Sequence, residues 1–421
     1  MEKEEQLLFE MSGKKIPEQI IPINDRVYLL RGYGSSNAAV VIGQTSLIMI
    51  DALENDAVAM RAKNDLAKIS PLPVKTIIYT HTHPDHTSGA GVFAASDAKI
   101  IAAPLQSSVY GHSELLNQVM LKRMTMQFGT NLSAEEALSS GLAPMNDIIG
   151  NNATLPVSEY ISQDISNQII DGVTFKFFKA VGETDDQMYV YLTDDDILCC
   201  GDNYYRSWPN LSAPRGGQYR DISSWIDSLE LILKINPQYL ISGHSELVTC
   251  KDNIKNEITP YKEAIEYILI NTLKAINKGL SIAEITEEVK LPEKYSSLPQ
   301  LQELYGTVQW AIRGIYSGYI GWFDGNATNL YTMPVKTQAE KRIALAGGAD
   351  NVLKEINSAL ALKEYQWTLE LCDDLINASQ KIIEAKTAKI QALEALAHHQ
   401  TSANGRHIYF SAAKDLQNEI N

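Results

Sequence analysis

Apolar positions in this chain change their period twice. Short β-branched runs come first, at 25–31, 38–42, 46–50 and 74–79, with a helix-spaced stretch at 54–69 before the last of them. A polar lead-in, 1–20, precedes these runs. A further strand is expected at 98–103 and a helix over 105–127. Residues 128–155 have little period, as a functional lid in a compact domain often does. Asp171-Gly172, set between apolar Ile169-Ile170 and Val173, is a hairpin dipeptide, and 187–192 pairs with 197–200 about the acidic turn Asp194 to Asp196. Residues 221–236 place Ile222, Trp225, Ile226, Leu229, Ile232 and Leu233 on one helical face, and 239–241 is a short strand leading into Ser242-Gly243-His244. After that the strands stop. Helices are expected at 256–278 and at 282–290, the second opened by a Ser281/Glu284 capping box. Four amphipathic segments then run from 339, punctuated at Gly347-Gly348, Lys363-Glu364 and Asn404-Gly405. The pattern predicts an α/β part, 1–250, followed by an all-α part, 251–421.

Composition narrows the function classes. The chain has 421 residues, 45% of them hydrophobic and 21% charged, which suits two ordinary globular domains. Its net charge of −15, with no basic stripe to offset it, argues against a nucleic-acid partner. An anionic substrate would therefore need positive charge gathered locally. No apolar run approaches the roughly 20 residues of a membrane span, and the acidic start Met1-Glu2-Lys3-Glu4-Glu5 is unlike a signal peptide. The four cysteines show no disulfide spacing, and Cys199-Cys200 read as small core residues. A cytoplasmic, reduced protein without a membrane partner is expected.

The chemistry concentrates at His81-Thr82-His83-Pro84-Asp85-His86, directly after the apolar run 74–79. Three of the eight histidines fall there with a carboxylate, on the rigid end of a strand, in a pattern suited to zinc or a similar divalent ion. One HxHxDH can serve two metals, His81 with His83 on one and Asp85 with His86 on the other. Such a pair also needs a bridging carboxylate and further ligands from later strand ends. Asp202 in Gly201-Asp202-Asn203 is the natural bridge, His244 follows a strand, and Glu183 could stand in for a missing histidine. His112, inside a predicted helix, reads as a surface residue. Asp51, ending another strand, suits equally a partner for a ligating histidine or a helix N-cap.

The HTHPDH loop, the Gly-Asp after a strand and the late Gly-His, in that order, resemble the metallo-β-lactamase superfamily over about the first 250 residues. Glu183, where most members have histidine, resembles its alkyl sulfatase (class III sulfatase) branch. Asn210-Leu211, Arg215-Gly216 and Arg220-Asp221 with Trp225 look like that branch too. Tyr305-Gly306-Thr307, Arg313 through Tyr316, Gly321-Trp322-Phe323-Asp324-Gly325-Asn326 and residues 339–377 are similar to its dimerisation domain. The resemblance implies an αββα sandwich with a helical dimerisation domain behind it, and a homodimer. It also implies a hydrolase with two Zn2+ per subunit, held by His81, His83, Asp85, His86, Glu183, Asp202 and His244. That enzyme would cleave alkyl sulfate esters with a hydroxide bridging the metals. Asp85 and Arg215 are expected to carry catalysis, with Arg215 clamping the sulfate, and Asn210, Trp310, Arg313 and Tyr316 to line the substrate. Arg215 also fits a surface loop, Arg313 and Tyr316 fit helix packing, and 256–421 fits an intramolecular cap. Trp310 stands where the branch carries a histidine and Asp202 where it usually has glutamate. The chain also ends at Asn421 without the sterol-carrier-like domain of the long-chain enzymes. A lactone, thioester or phosphoester substrate on the same metals is one alternative, and a dimeric binding or scaffold protein that has lost catalysis is a second.

Overall fold

The computed structural model describes residues 1–105, 113–145 and 150–420. Its first half is two sheets packed face to face. The first contains, in spatial order, β1 (Gln19–Pro22), β2 (Val27–Arg31), β3 (Ala38–Ile42), β4 (Leu47–Ile50), β5 (Val74–Ile78), β6 (Ala94–Ala102) and β7 (Glu159–Tyr160). Neighbours are antiparallel through β4 and parallel from β4 to β7. In the second sheet, β8 (Ile165–Ile170), β9 (Val173–Lys179), β10 (Met188–Leu192) and β11 (Ile197–Gly201) run antiparallel. β12 (Tyr239–Ser242) then pairs parallel to β11, and β13 (Val248–Thr249) closes the edge. The β8–β9 turn is the expected hairpin: Asp171 and Gly172 both have positive φ, 46° and 81°, and glycine takes the second at no steric cost.

Three apolar clusters hold these layers. Val41, Ile50, Ile78, Phe175, Phe177, Val190 and Ile241 fill the space between the sheets. Ala59, Ala62 and Leu66 of the helix Asp56–Leu66 pack beneath the outer face of the first sheet, with Met49, Ile77 and Tyr79. On the outer face of the second sheet, Trp225 and Leu229 of the helix Ile222–Ile235 join a cluster with Ile258, Ile265, Ile312 and Ile315. The architecture is the αββα sandwich followed by helices. The last cluster runs without a break from the sheet into the helices Lys251–Asn277 and Val308–Ile320.

The C-terminal region differs in one respect from its sequence pattern. Five helices, Val335–Leu345, Ala349–Ala361, Tyr365–Asn377, Ile382–His398 and Ala403–Ile420, stand where four segments were expected. The missed break contains no Gly or Pro: Ser379 and Lys381 take left-handed backbone, φ 59° and 49°. Asn404-Gly405, expected as punctuation, lies buried in the first turn of the last helix, where the Gly405 amide donates to Ser402 Oγ. The lead-in is also less featureless than it reads, holding the helix Lys3–Leu8 and β1. The expected helix over 105–127 is Asn117–Phe128, while 106–112 lie outside the described residues. Among its described residues the low-period stretch 128–155 contains the one-turn helix Ala134–Ala137, and 146–149 are likewise outside. All four cysteines are free, Cys199 and Cys200 buried as expected. Among the described residues no helix is long and apolar enough to cross a membrane.

Candidate metal centre

Two parallel strand pairs, β4–β5 and β11–β12, end on the same rim of the sandwich, so the residues just past each strand meet there. After β4 comes Asp51, after β5 the run His81 to His86, after β11 Asp202, and after β12 His244. The two sheets are tied at this rim by main-chain bonds. The Asn37 amide donates to the Gly243 carbonyl at 2.7 Å, and the Met188 amide to that of Thr80 at 2.8 Å.

Six of the seven predicted ligands fall into two clusters sharing one carboxylate. Asp85, His86, Asp202 and His244 form the first and His81, His83 and Asp202 the second, the ligating atoms of each lying within 4.8 Å of one another. Glu183 borders the second cluster, its Oε1 3.7 Å from His83 Nδ1. His81, His86, His244, Asp202 and Glu183 are buried.

Hydrogen bonds behind the ring decide how each imidazole faces the centre. His244 Nδ1 lies 2.7 Å from the Ser35 carbonyl oxygen, and His86 Nδ1 lies 3.0 Å from Asp51 Oδ2. Both partners only accept, so each Nδ1 carries a hydrogen, and in the neutral ring that leaves the Nε2 lone pair turned inward. Thr80 Oγ1 donates to Asp51 Oδ2, so it accepts from His81 Nδ1 at 3.1 Å, and His81 Nε2 is likewise a lone pair. Among the described residues His81 Nε2, His86 Nε2 and Asp202 Oδ1 are buried without a hydrogen-bond partner. His86 Nε2 nevertheless stands 3.4 Å from Asp85 Oδ2 and 3.3 Å from Asp202 Oδ1. Lone pairs and carboxylates converging in a largely buried space repel one another unless a cation lies between them. The donor set therefore fits a divalent metal, as mixed imidazole and carboxylate ligands do.

Proton affinities in the metal-free geometry carry the same message. Burial alone would lower His244, but Asp202 and Asp85 drive it up to about 10. His86 likewise rises well above the usual imidazole value, the buried carboxylates overcoming desolvation. Burial opposes ionisation of Asp85 too, yet His86 and His244 hold it well below the carboxylate range. Burial and its histidine neighbour His86 push His81 down to about 3, and burial with Arg220 does the same to His83. Burial pushes Glu183 up to about 7 against the pull of Arg220, because Asp202 and Asp85 crowd it with like charge. The centre draws positive charge, and protons take that place when no metal does.

Close packing at Gly243 shows how little space remains. A Cβ there would collide with Asp202 Oδ1 and come within 2.6 Å of His86 Cε1.

The expected substrate residues spread out. Arg215 is half-buried in the loop beside the centre, where its amide donates to Gln127 Oε1 at 2.9 Å and its Nη1 to the Gly216 carbonyl at 3.2 Å. Burial and then Arg220 lower its pKa, while Glu183 and Asp85 oppose them. Asn210 is buried, with its amide donating to Tyr205 Oη and its Oδ1 left without a partner. Trp310 is half-buried on the helix Val308–Ile320. On the same helix Arg313 is exposed, whereas Tyr316 is packed in the cluster beneath the second sheet. His112 lies outside the described residues.

Of the two readings open for Asp51, histidine partner and helix N-cap, the first is the one found, whereas the pairing of Arg220 with Glu183 was not legible. Asp51 is no N-cap, since Asn55 caps the following helix. It accepts from the Thr80 amide, from Thr80 Oγ1 and from His86. Arg220 grips Glu183 with both terminal nitrogens, at 2.7 and 2.6 Å, and nothing in the spacing of the two residues announces that pairing.

Comparison with known proteins agrees with this fold. The metallo-beta-lactamase superfamily pattern matches residues 31–244, and the alkyl sulfatase dimerisation pattern matches 281–419. A linear primary-alkylsulfatase from Pseudomonas sp. (strain ATCC 19151) is 29% identical over 385 residues, covering 89% of this chain and 72% of the relative. An (R)-specific secondary-alkylsulfatase from Pseudomonas sp. is 27% identical, covering 95% of this chain and 63% of its own length. Among solved structures, the stereoselective inverting sec-alkylsulfatase Pisa1 from Pseudomonas sp. superposes with a TM-score of 0.88 at 24% identity, covering 99% of this chain and 70% of that one, and so shares its fold. The chain thus spans between 63% and 72% of the length of these proteins. With the αββα sandwich, the HTHPDH loop and the helical region behind them, it belongs to the metallo-beta-lactamase superfamily, in the branch that carries the alkyl sulfatase dimerisation domain.

Proposed function

We propose that the chain hydrolyses alkyl sulfate esters at a centre for two zinc ions per subunit. His81, His83, Glu183 and Asp202 would hold one ion, and Asp85, His86, Asp202 and His244 the other. The observation that carries this reading is Asp202, common to both ligand clusters. When bound, the ions supply Lewis-acid charge and bring the pKa of water down from its bulk value toward about 7.

The chain's own residues do the rest. A sulfate ester is anionic, and this protein carries a net charge of −15, so the substrate must be met by local cations. Arg215 beside the centre is the residue we assign to the sulfate oxygens, since a planar guanidinium can bind two at once. The unpartnered Asn210 Oδ1 marks a side chain in the same loop with hydrogen-bonding capacity to spare. Asp51, Thr80 and the Ser35 carbonyl fix the imidazole tautomers, so that lone pairs rather than N–H groups face inward.

Residues 1–250 would form the catalytic part and 251–421 the dimerisation part of a homodimer. The exposed apolar residues Tyr319, Ile320, Trp322, Leu330, Tyr331 and Met333 support that assembly, and a monomer mass in light scattering would contradict it. Four free cysteines suit a reducing compartment, the cytoplasm. The activity is tested by measuring inorganic sulfate released from primary and secondary alkyl sulfates of several chain lengths. Lactones, thioesters and phosphoesters of matched size run alongside. Sulfate release is expected; turnover of the other esters alone would move the assignment to them.

A further inference from the structure

Glu183 brings a third carboxylate to a centre that already contains Asp85 and Asp202. A neutral imidazole at the same place would need no counter-ion; a buried carboxylate does. The structure supplies one. Arg220 is enclosed, its side chain 9% exposed against 5% for that of Glu183. Its Nη1 donates to Glu183 Oε2 at 2.7 Å, its Nη2 lies 2.6 Å from Oε1, and Nη1 also donates to the Asn210 carbonyl. The guanidinium carbon lies 6.0 Å from the ring of Trp225, whose Nε1 donates to the Asn203 carbonyl at 2.8 Å. Asn203 Oδ1 in turn accepts the Glu183 amide at 3.0 Å. Main chain and side chain of Glu183 are thus held from one frame. Each carboxylate oxygen has two lone pairs, so the two-pronged contact leaves capacity on Oε1, the oxygen that faces His83.

We propose that Arg220 is a positioning residue for the His81–His83–Asp202 side of the centre: it fixes Glu183 toward His83 and cancels the charge this carboxylate adds. The inference rests on the two-metal reading above. Its consequence is site-selective. Loss of Arg220 weakens one metal site and leaves the Asp85–His86–Asp202–His244 cluster with its ligands.

The test titrates Zn2+ and Co2+ into wild type, Arg220→Met and the double variant Glu183→His/Arg220→Met, reading stoichiometry, affinity and the Co2+ absorption spectrum. Wild type should take up two ions. Arg220→Met should bind one as wild type does and the other about 10–100-fold more weakly. The double variant, with an imidazole that needs no counter-ion, should recover two ions. Should Arg220→Met not fold, the double variant decides: folding with two ions supports the proposal, and failure to fold or to recover the second ion overturns it. A folded Arg220→Met that binds both ions with unchanged affinity overturns it and leaves the two-metal reading standing. A wild type that binds no divalent ion overturns both.

Discussion

Asp51→Asn is the smallest change that separates a ligand's presence from its orientation. Asp51 is buried and has a φ of 60°, which asparagine tolerates, so the backbone is left in place. The amide oxygen can still accept the Thr80 amide, now 2.8 Å from Oδ1. The nitrogen, however, replaces Oδ2, which at present accepts from Thr80 Oγ1 at 2.9 Å and from His86 Nδ1 at 3.0 Å. An N–H there favours the other His86 tautomer, with the hydrogen on Nε2 and no lone pair toward Asp85 and Asp202. Removing such an orienting partner typically costs about 10–100-fold in metal affinity, or about 1.4–2.7 kcal/mol. The disturbed hydrogen bond to Thr80 adds about 1–2 kcal/mol of lost fold stability. Metal affinity by competition with a chromophoric chelator, and stability by urea unfolding of the metal-free protein, measure the two separately. An Asp51→Asn protein that binds zinc as tightly as wild type would refute the tautomer argument, whatever its stability.

The same geometry sets further outcomes. Gly243→Ala should lose metal affinity by about tenfold or more, because its Cβ would strike Asp202 and approach His86; metal content after dialysis reports it. Arg215→Ala should lower kcat/KM for sulfate release by about 10²–10³, with metal content unchanged, and an equal loss on uncharged esters would remove Arg215 from sulfate recognition. Far from the centre, burial would raise Glu5, but His398, Arg406 and the Glu2 amide bring it down to about 2 from 4.5. Its folded pKa is the lower one, so it stabilises the fold fully above pH 4.5, and that contribution fades as pH falls toward 2. Wild type should therefore exceed Glu5→Gln by about 1–2 kcal/mol at neutral pH after allowance for solvent screening, and the gap should close in acid. A gap independent of pH would contradict the assignment.

What the sequence shows and what it hides divide along physical lines. The candidate ligand run is legible because a strand that stops where His81 begins holds four donors within six residues, and the end of a strand is a local property. Asp202 and His244 were legible for the same reason, each ending a strand. The Asp171-Gly172 hairpin needs only two positive φ values, which its own residues supply. Asp51 with His86, and Arg220 with Glu183, are different: each pairing depends on which elements pack side by side, which no local spacing encodes. Tyr316 leaves helix packing and substrate lining both open in the sequence, and its burial beneath the second sheet comes from how the helix Val308–Ile320 docks. The break at Ser379–Lys381 leaves no mark in the sequence because ordinary residues adopt left-handed backbone there, while Gly405, a usual breaker, packs inside a helix.

The two proposed metals share Asp202 as a ligand. Anomalous diffraction at the zinc edge, from crystals of the zinc-loaded protein, locates each ion. Two peaks are predicted, one among His81, His83, Glu183 and Asp202 and one among Asp85, His86, Asp202 and His244. A single peak, or peaks that do not share Asp202, would contradict that arrangement.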